Sequence, residues 1–132
     1  MLKRMTFALA ALGLFAPALA QDAPRTERVQ FARGTSSKAI TGKIKGYDGA
    51  RYLIGARAGQ TLTVTLKTSN ASSYFNVTAP GADAAMFVGS TSGNRFTAKI
   101  PSSGDYAVDV YLMRNAARRG DTANYTLTVS IR

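Results

Sequence analysis

The sequence predicts an all-β fold, an antiparallel β-sandwich-like domain of about eight short strands. Three observations lead there. Apolar and polar residues alternate with a period of two through most of the chain. Clusters of Gly, Ser, Asn, Asp and Pro interrupt that alternation roughly every 8 to 14 residues. No stretch after the first 20 residues has the 3.6-residue periodicity of a convincing amphipathic helix.

Residues 21–27 are polar and include Pro24, and read as a loose N-terminal arm. Val29 and Phe31 open the alternation, and Gly34-Thr35-Ser36-Ser37 turns the chain. Ile40, Gly42 and Ile44 share one face of the next strand, which ends at the turn signal Tyr47-Asp48-Gly49. Tyr52, Ile54 and Ala56 follow, then Gly59-Gln60. Residues 61–67 are the clearest strand: Leu62, Val64 and Leu66 point one way, and Thr61, Thr63, Thr65 and Lys67 the other.

After a polar loop at 69–73, residues 74–78 are β-prone and end at Pro80-Gly81. A short apolar run covers 86–88, and Ser92-Gly93-Asn94 is a further turn. Phe96, Ala98 and Ile100 alternate, and residues 101–104 turn again. Tyr106, Val108, Val110 and Leu112 form a strong inward row. An arginine-rich loop spans 114–123, and the last strand carries Tyr125, Leu127, Val129 and Ile131. Strands with one buried face, closed by short turns, suit two packed sheets.

Residues 1–20 read as a cleavable signal peptide. Lys3 and Arg4 are its positive start, an apolar run covers residues 5–14, and Ala18-Leu19-Ala20 is the cleavage site. The apolar run is shorter than the roughly 20 residues that a membrane span requires. No Cys follows the site, which excludes a lipoprotein, and no second apolar stretch predicts membrane insertion after cleavage. The signal holds two of the 17 basic residues and none of the seven acids, so residues 21–132 carry a net charge of +8. Those 112 residues fit one domain with its own core. Without cysteine that core relies on packing, a composition that suits a bacterial periplasm.

The composition also excludes chemistries. There is no His and no Cys, which removes the usual general base, the thiol nucleophile and the commonest metal ligands. Glu27 is the sole glutamate. Asp105 and Asp109 lie four residues apart on one strand, roughly 13 Å, too far for a glycosidase carboxylate pair. The expectation is a protein that is not an enzyme and has no cofactor and no metal site. A basic protein attracts polyanions, but export argues against nucleic acid.

Three segments are candidates for a binding role. In Gly42-Lys43-Ile44-Lys45-Gly46-Tyr47-Asp48, Tyr47 sits at a turn tip, where an exposed aromatic can anchor an interface. In Ser103-Gly104-Asp105-Tyr106, the turn launches a core strand, and the alternation of Tyr106 with Val108 and Val110 points inward. In Arg114-Asn115-Ala116-Ala117-Arg118-Arg119-Gly120-Asp121, one helical turn would make Arg114 and Arg118 i, i+4 neighbours. Their mutual repulsion would be relieved by an opposing carboxylate gripped bidentately. Alternatively this is a solvated loop with Asp121 as its internal counter-ion.

Together these segments resemble the periplasmic inhibitors of g-type lysozyme of Gram-negative bacteria. The resemblance rests on Gly34-Thr35-Ser36-Ser37, on residues 42–48, and on Ala58-Gly59-Gln60. It continues in residues 101–106, in Arg114-Asn115-Ala116-Ala117-Arg118, and in Asn124-Tyr125-Thr126-Leu127. Order and rough spacing agree over residues 34–131, while residues 69–95 match poorly. The resemblance implies a β-sandwich-like inhibitor whose partner is g-type lysozyme. It would plug the active-site cleft and protect peptidoglycan. The lysozyme-binding candidates are Tyr47 as a packing anchor, Arg114 and Arg118 facing catalytic carboxylates, and Arg119 beside them. Ser103 and Tyr106 would shape or line the inserted turn. The competing expectation is a non-inhibitory exported β-sandwich module that binds an envelope glycan or protein.

Overall fold

A computed structural model describes residues 25–132, so the signal segment 1–20 and the first residues of the arm lie outside the described residues. Nine strands form two facing sheets. They are β1 (Arg25–Arg28), β2 (Ser37–Lys45), β3 (Ala50–Ala56), β4 (Thr61–Thr68) and β5 (Ser73–Thr78), then β6 (Phe87–Val88), β7 (Arg95–Lys99), β8 (Gly104–Leu112) and β9 (Thr122–Ile131). Two single-turn helices interrupt them, α1 (Gly89–Ser92) and α2 (Arg114–Arg118). One sheet has the order β1-β3-β8-β5-β6 and the other β2-β9-β4-β7. All pairings are antiparallel except β1 with β3.

Only β5 and β6 are consecutive strands that pair; at nearly every other turn the chain crosses to the opposite sheet. Each crossing keeps the alternation in phase, so the apolar side chains of both sheets meet between them. Tyr52, Ile54, Leu62, Val64, Phe75, Val77, Tyr106, Val108, Val110, Leu127 and Val129 are all buried there. The expected inward rows are thus the core. At one edge, the Phe87 ring lies 5.2 Å from both Phe75 of its own sheet and Phe96 of the other. This tilted aromatic stack bridges the two layers.

The N-terminal arm departs from expectation. Arg25–Arg28 is not loose but pairs in parallel with β3, Arg25 against Ala50 and Arg28 against Leu53. All four residues are exposed, so the strand has no buried face and leaves no alternation in the sequence. Its ties are backbone bonds, an ion pair of Arg28 with Asp105 at 2.6 Å, and a bond from Arg25 to the Tyr125 hydroxyl at 3.1 Å. Val29 and Phe31 follow as irregular chain rather than strand, with Val29 buried and Phe31 packed partly against the core.

Candidate functional site

The connections cluster at two ends of the sandwich. At one end lie the 46–49 turn between β2 and β3, the 69–72 loop between β4 and β5, and α2 with the 119–121 turn after it. At the other lie the 57–60 turn and the 100–103 turn. The strand β8 separates them: Ala50 pairs with Val110 near its C-terminal end, and Ala56 with Gly104 at its start. Eight steps along that strand span roughly 27 Å.

The first end holds Tyr47 and the arginines. Gly46 adopts φ +60°, a left-handed conformation that glycine takes without strain. Its N–H donates to the Asp121 carbonyl at 2.9 Å, which ties the tyrosine turn to the segment leaving α2. Lys45 Nζ adds a bond to the Gly120 carbonyl. Tyr47 is 69% exposed, a large value for a tyrosine at a tightly tied turn. In α2, Ala116 and Ala117 are buried and anchor the helical turn, while Arg114 and Arg118 face outward. The i, i+4 placement expected from the sequence is therefore present.

Asp121 is the counter-ion of one arginine only. It pairs with Arg119 at 2.9 Å, and that guanidinium holds the Asp121 carboxyl below its ordinary pKa. Among the described residues, Arg114 and Arg118 are in no ion pair. Both are exposed cations on one helical turn, and a guanidinium can grip a carboxylate through two N–H groups.

The other two candidates lie elsewhere. Ser103 is exposed at the opposite end, where its hydroxyl oxygen accepts the Ala58 N–H at 2.9 Å and joins the 100–103 turn to the 57–60 turn. Tyr106 is fully buried, and its hydroxyl donates to the Ser102 carbonyl at 2.6 Å. It props the turn from inside and presents no surface to a partner. The structure thus brings together Tyr47, Arg114, Arg118 and Arg119, and separates them from Ser103 and Tyr106.

One feature beside Tyr47 was not read from the sequence. A hollow of about 240 Å³ lies between Tyr47, Arg51, Asp109 and Tyr111. Arg51 holds Asp109 by two bonds of 2.7 and 3.1 Å, and Tyr111 donates to Asn76. Tyr111 occupies the outward phase of β8 directly before α2, and that phase was its available signal. The Arg51–Asp109 contact had none, because β3 and β8 are far apart in sequence. Both strand acids, Asp105 and Asp109, are engaged by arginines of other strands.

The fold defines a class: a two-sheet β-sandwich whose connections gather at its two ends. No family model matches the chain. It is 31% identical over 113 residues to the inhibitor of g-type lysozyme of Escherichia coli, covering 83% of this chain and 84% of that protein. The chain belongs to the family of inhibitors of g-type lysozyme. Its fold agrees with the crystal structure of the periplasmic g-type lysozyme inhibitor of Aeromonas hydrophila, with a TM-score of 0.75 and 38% identity over 83% of this chain and 97% of that one. The corresponding inhibitor of Salmonella Typhimurium aligns with a TM-score of 0.64 and 28% identity, covering 82% and 98%.

Proposed function

We propose that this protein inhibits g-type lysozyme in the periplasm, and that its residues 1–20 direct it there. The inhibitory end is the one that carries Tyr47, Arg114, Arg118 and Arg119. The observation that supports this choice is the Gly46-to-Asp121 backbone bond, which fixes the exposed tyrosine turn against the arginine turn. A lysozyme cleft holds catalytic carboxylates in a trough shaped for a polysaccharide. Arg114 and Arg118 supply cationic donors to such carboxylates, and burying those charges is favourable when they are paired in the complex. Tyr47 contributes an aromatic anchor on a turn that backbone bonds already hold in place.

Ser103 and Tyr106 take the role of holding the far turn in shape. The two ends face opposite ways along the strands, so a single protrusion entering a cleft uses one of them. The test is inhibition of purified g-type, c-type and i-type lysozymes by the processed protein. Inhibition of the g-type enzyme, weakened on Arg118→Ala, supports the reading. Absence of g-type inhibition at micromolar concentration overturns it.

A further inference from the structure

The charge of this protein is divided unequally between its sheets. The strands of the five-stranded sheet carry Arg25, Arg28 and Arg51 against Glu27, Asp105 and Asp109, a balance of zero. The strands of the four-stranded sheet carry Lys38, Lys43, Lys45, Lys67, Arg95 and Lys99 and no acid at all. Among the described residues none of these six is in an ion pair.

The register sets three of them on a diagonal, with a fourth further along β7. Lys43 on β2 stands opposite Asn124, and Lys67 on β4 opposite Thr126 one row further along β9. Arg95 on β7 stands opposite Thr65, one row beyond Lys67, and Lys99 opposite Thr61. From strand spacing and rise, Lys43 and Lys67 are roughly 12 Å apart at Cα, and Lys67 and Arg95 roughly 8 Å. All four side chains are exposed. Between them the outward positions are largely hydroxyls and an amide: Thr41, Thr63, Thr65, Asn124, Thr126 and Thr128. Near the Lys43 end this face has a shallow, wide-open hollow of about 650 Å³ bordered by Lys43, Lys67, Asn124 and Thr126.

We propose that the outer face of the four-stranded sheet binds a carboxylate-bearing glycan polymer, laid along the diagonal from Lys43 through Lys67 to Arg95. Each sugar hydroxyl both donates and accepts hydrogen bonds, and a Thr or Asn floor answers in both senses. The acidic substituents meet lysine and arginine. The face lacks what other polyanions require. Its strands turn no aromatic ring outward for stacking nucleic-acid bases. The exposed large apolar side chains, Tyr47, Met86, Val88 and Met113, all lie off this sheet, so nothing enters a lipid bilayer from it. It also has no apolar centre of the kind a protein interface uses. Peptidoglycan, whose stem peptides carry carboxylates, is a polymer of this class in the compartment proposed above. An inhibitor held on it would be concentrated beside the bonds a lysozyme attacks; that consequence, unlike the binding itself, rests on the inhibitory reading.

The experiment is co-sedimentation of the processed protein with purified peptidoglycan sacculi. Binding is expected at low salt and should be lost at about 0.5 M salt, where screening acts within a few Å. The Lys67→Gln/Arg95→Gln/Lys99→Gln variant should bind at least about tenfold more weakly, while its inhibition of g-type lysozyme on a soluble substrate stays within about twofold. Wild-type protein should lose binding equally to sacculi whose carboxylates have been amidated, an arm that does not depend on any variant folding. Equal sedimentation of the variant, equal binding to amidated sacculi, or preference for phosphatidylglycerol vesicles or duplex DNA over sacculi would each overturn the proposal.

Discussion

The ring of Tyr125 lies against Gly42, its partner across the β2–β9 pair. A Cβ at position 42 would stand 2.5 Å from both Cζ and the hydroxyl oxygen of that ring. The hydroxyl in turn sits 2.7 Å from the Tyr52 hydroxyl of the other sheet and accepts a 3.1 Å bond from Arg25 of β1. Gly42 therefore leaves room for a polar bridge between the layers, and the glycine that opens the Gly42–Asp48 motif is a packing residue.

Gly42→Ala is expected to destabilise the fold by about 2 kcal/mol through overpacking, seen as a Tm lower by about 10 °C. Shortening the opposing side chain with Tyr125→Leu should recover part of that loss in the double variant. Purely additive losses would show that the ring is not what position 42 accommodates.

The Tyr52–Tyr125 bridge predicts an alkaline limit. Burial, and then the bond to Tyr52, push the Tyr125 pKa above its ordinary value. The fold thus favours the neutral phenol, while an unfolded tyrosine ionises near about pH 10. The stabilisation is complete below that pH and is lost as pH rises above it. Thermal melts from pH 8 to pH 11 should show a falling Tm, and Tyr125→Phe should flatten that fall.

At the proposed inhibitory end, Arg114→Ala and Arg118→Ala should each weaken g-type lysozyme inhibition by about 2 kcal/mol, near thirtyfold. Both side chains are outside the core, so Tm should change by no more than about 2 °C. Ser103→Ala should behave in the opposite way. It removes the acceptor for the Ala58 N–H, costs about 1 kcal/mol of stability, and leaves inhibition unchanged.

The first strand should be the acid-sensitive element. Arg28 reaches Asp105 through two bonds, 3.1 and 2.6 Å, across the position of Gly55 on the strand between them. The Arg28 guanidinium holds the Asp105 carboxyl below its ordinary pKa. The contribution is present at neutral pH and is lost as pH falls through that lowered value. The protection of β1 amides, measured relative to their intrinsic exchange rate at each pH, should therefore fall on acidification before that of β8 or β9 amides. Asp105→Asn should show the lower β1 protection already at neutral pH.

Much of this protein was determined locally. Alternation placed Tyr106, Val108, Val110 and Leu112 in the core, because a strand sends successive side chains to opposite faces wherever it lies. For Arg114 and Arg118 the spacing left a helical turn and a solvated loop both open, and the fold settled on the turn by burying Ala116 and Ala117. Tertiary structure decided the rest. Strand pairing could not be read, since the chain changes sheets at nearly every turn and alternation carries no information about partners. The strand β1 was invisible because it buries no face. The division of the candidate residues into two ends was equally invisible, for Ser103 and Arg114 are close in sequence but held apart by the full length of β8. The Gly46-to-Asp121 bond joins positions 75 residues apart, and no local rule specifies it. What the sequence determined is which way each side chain faces. Which surfaces those side chains build together depended on long-range backbone pairing, whose specificity lies in the packing of both sheets at once.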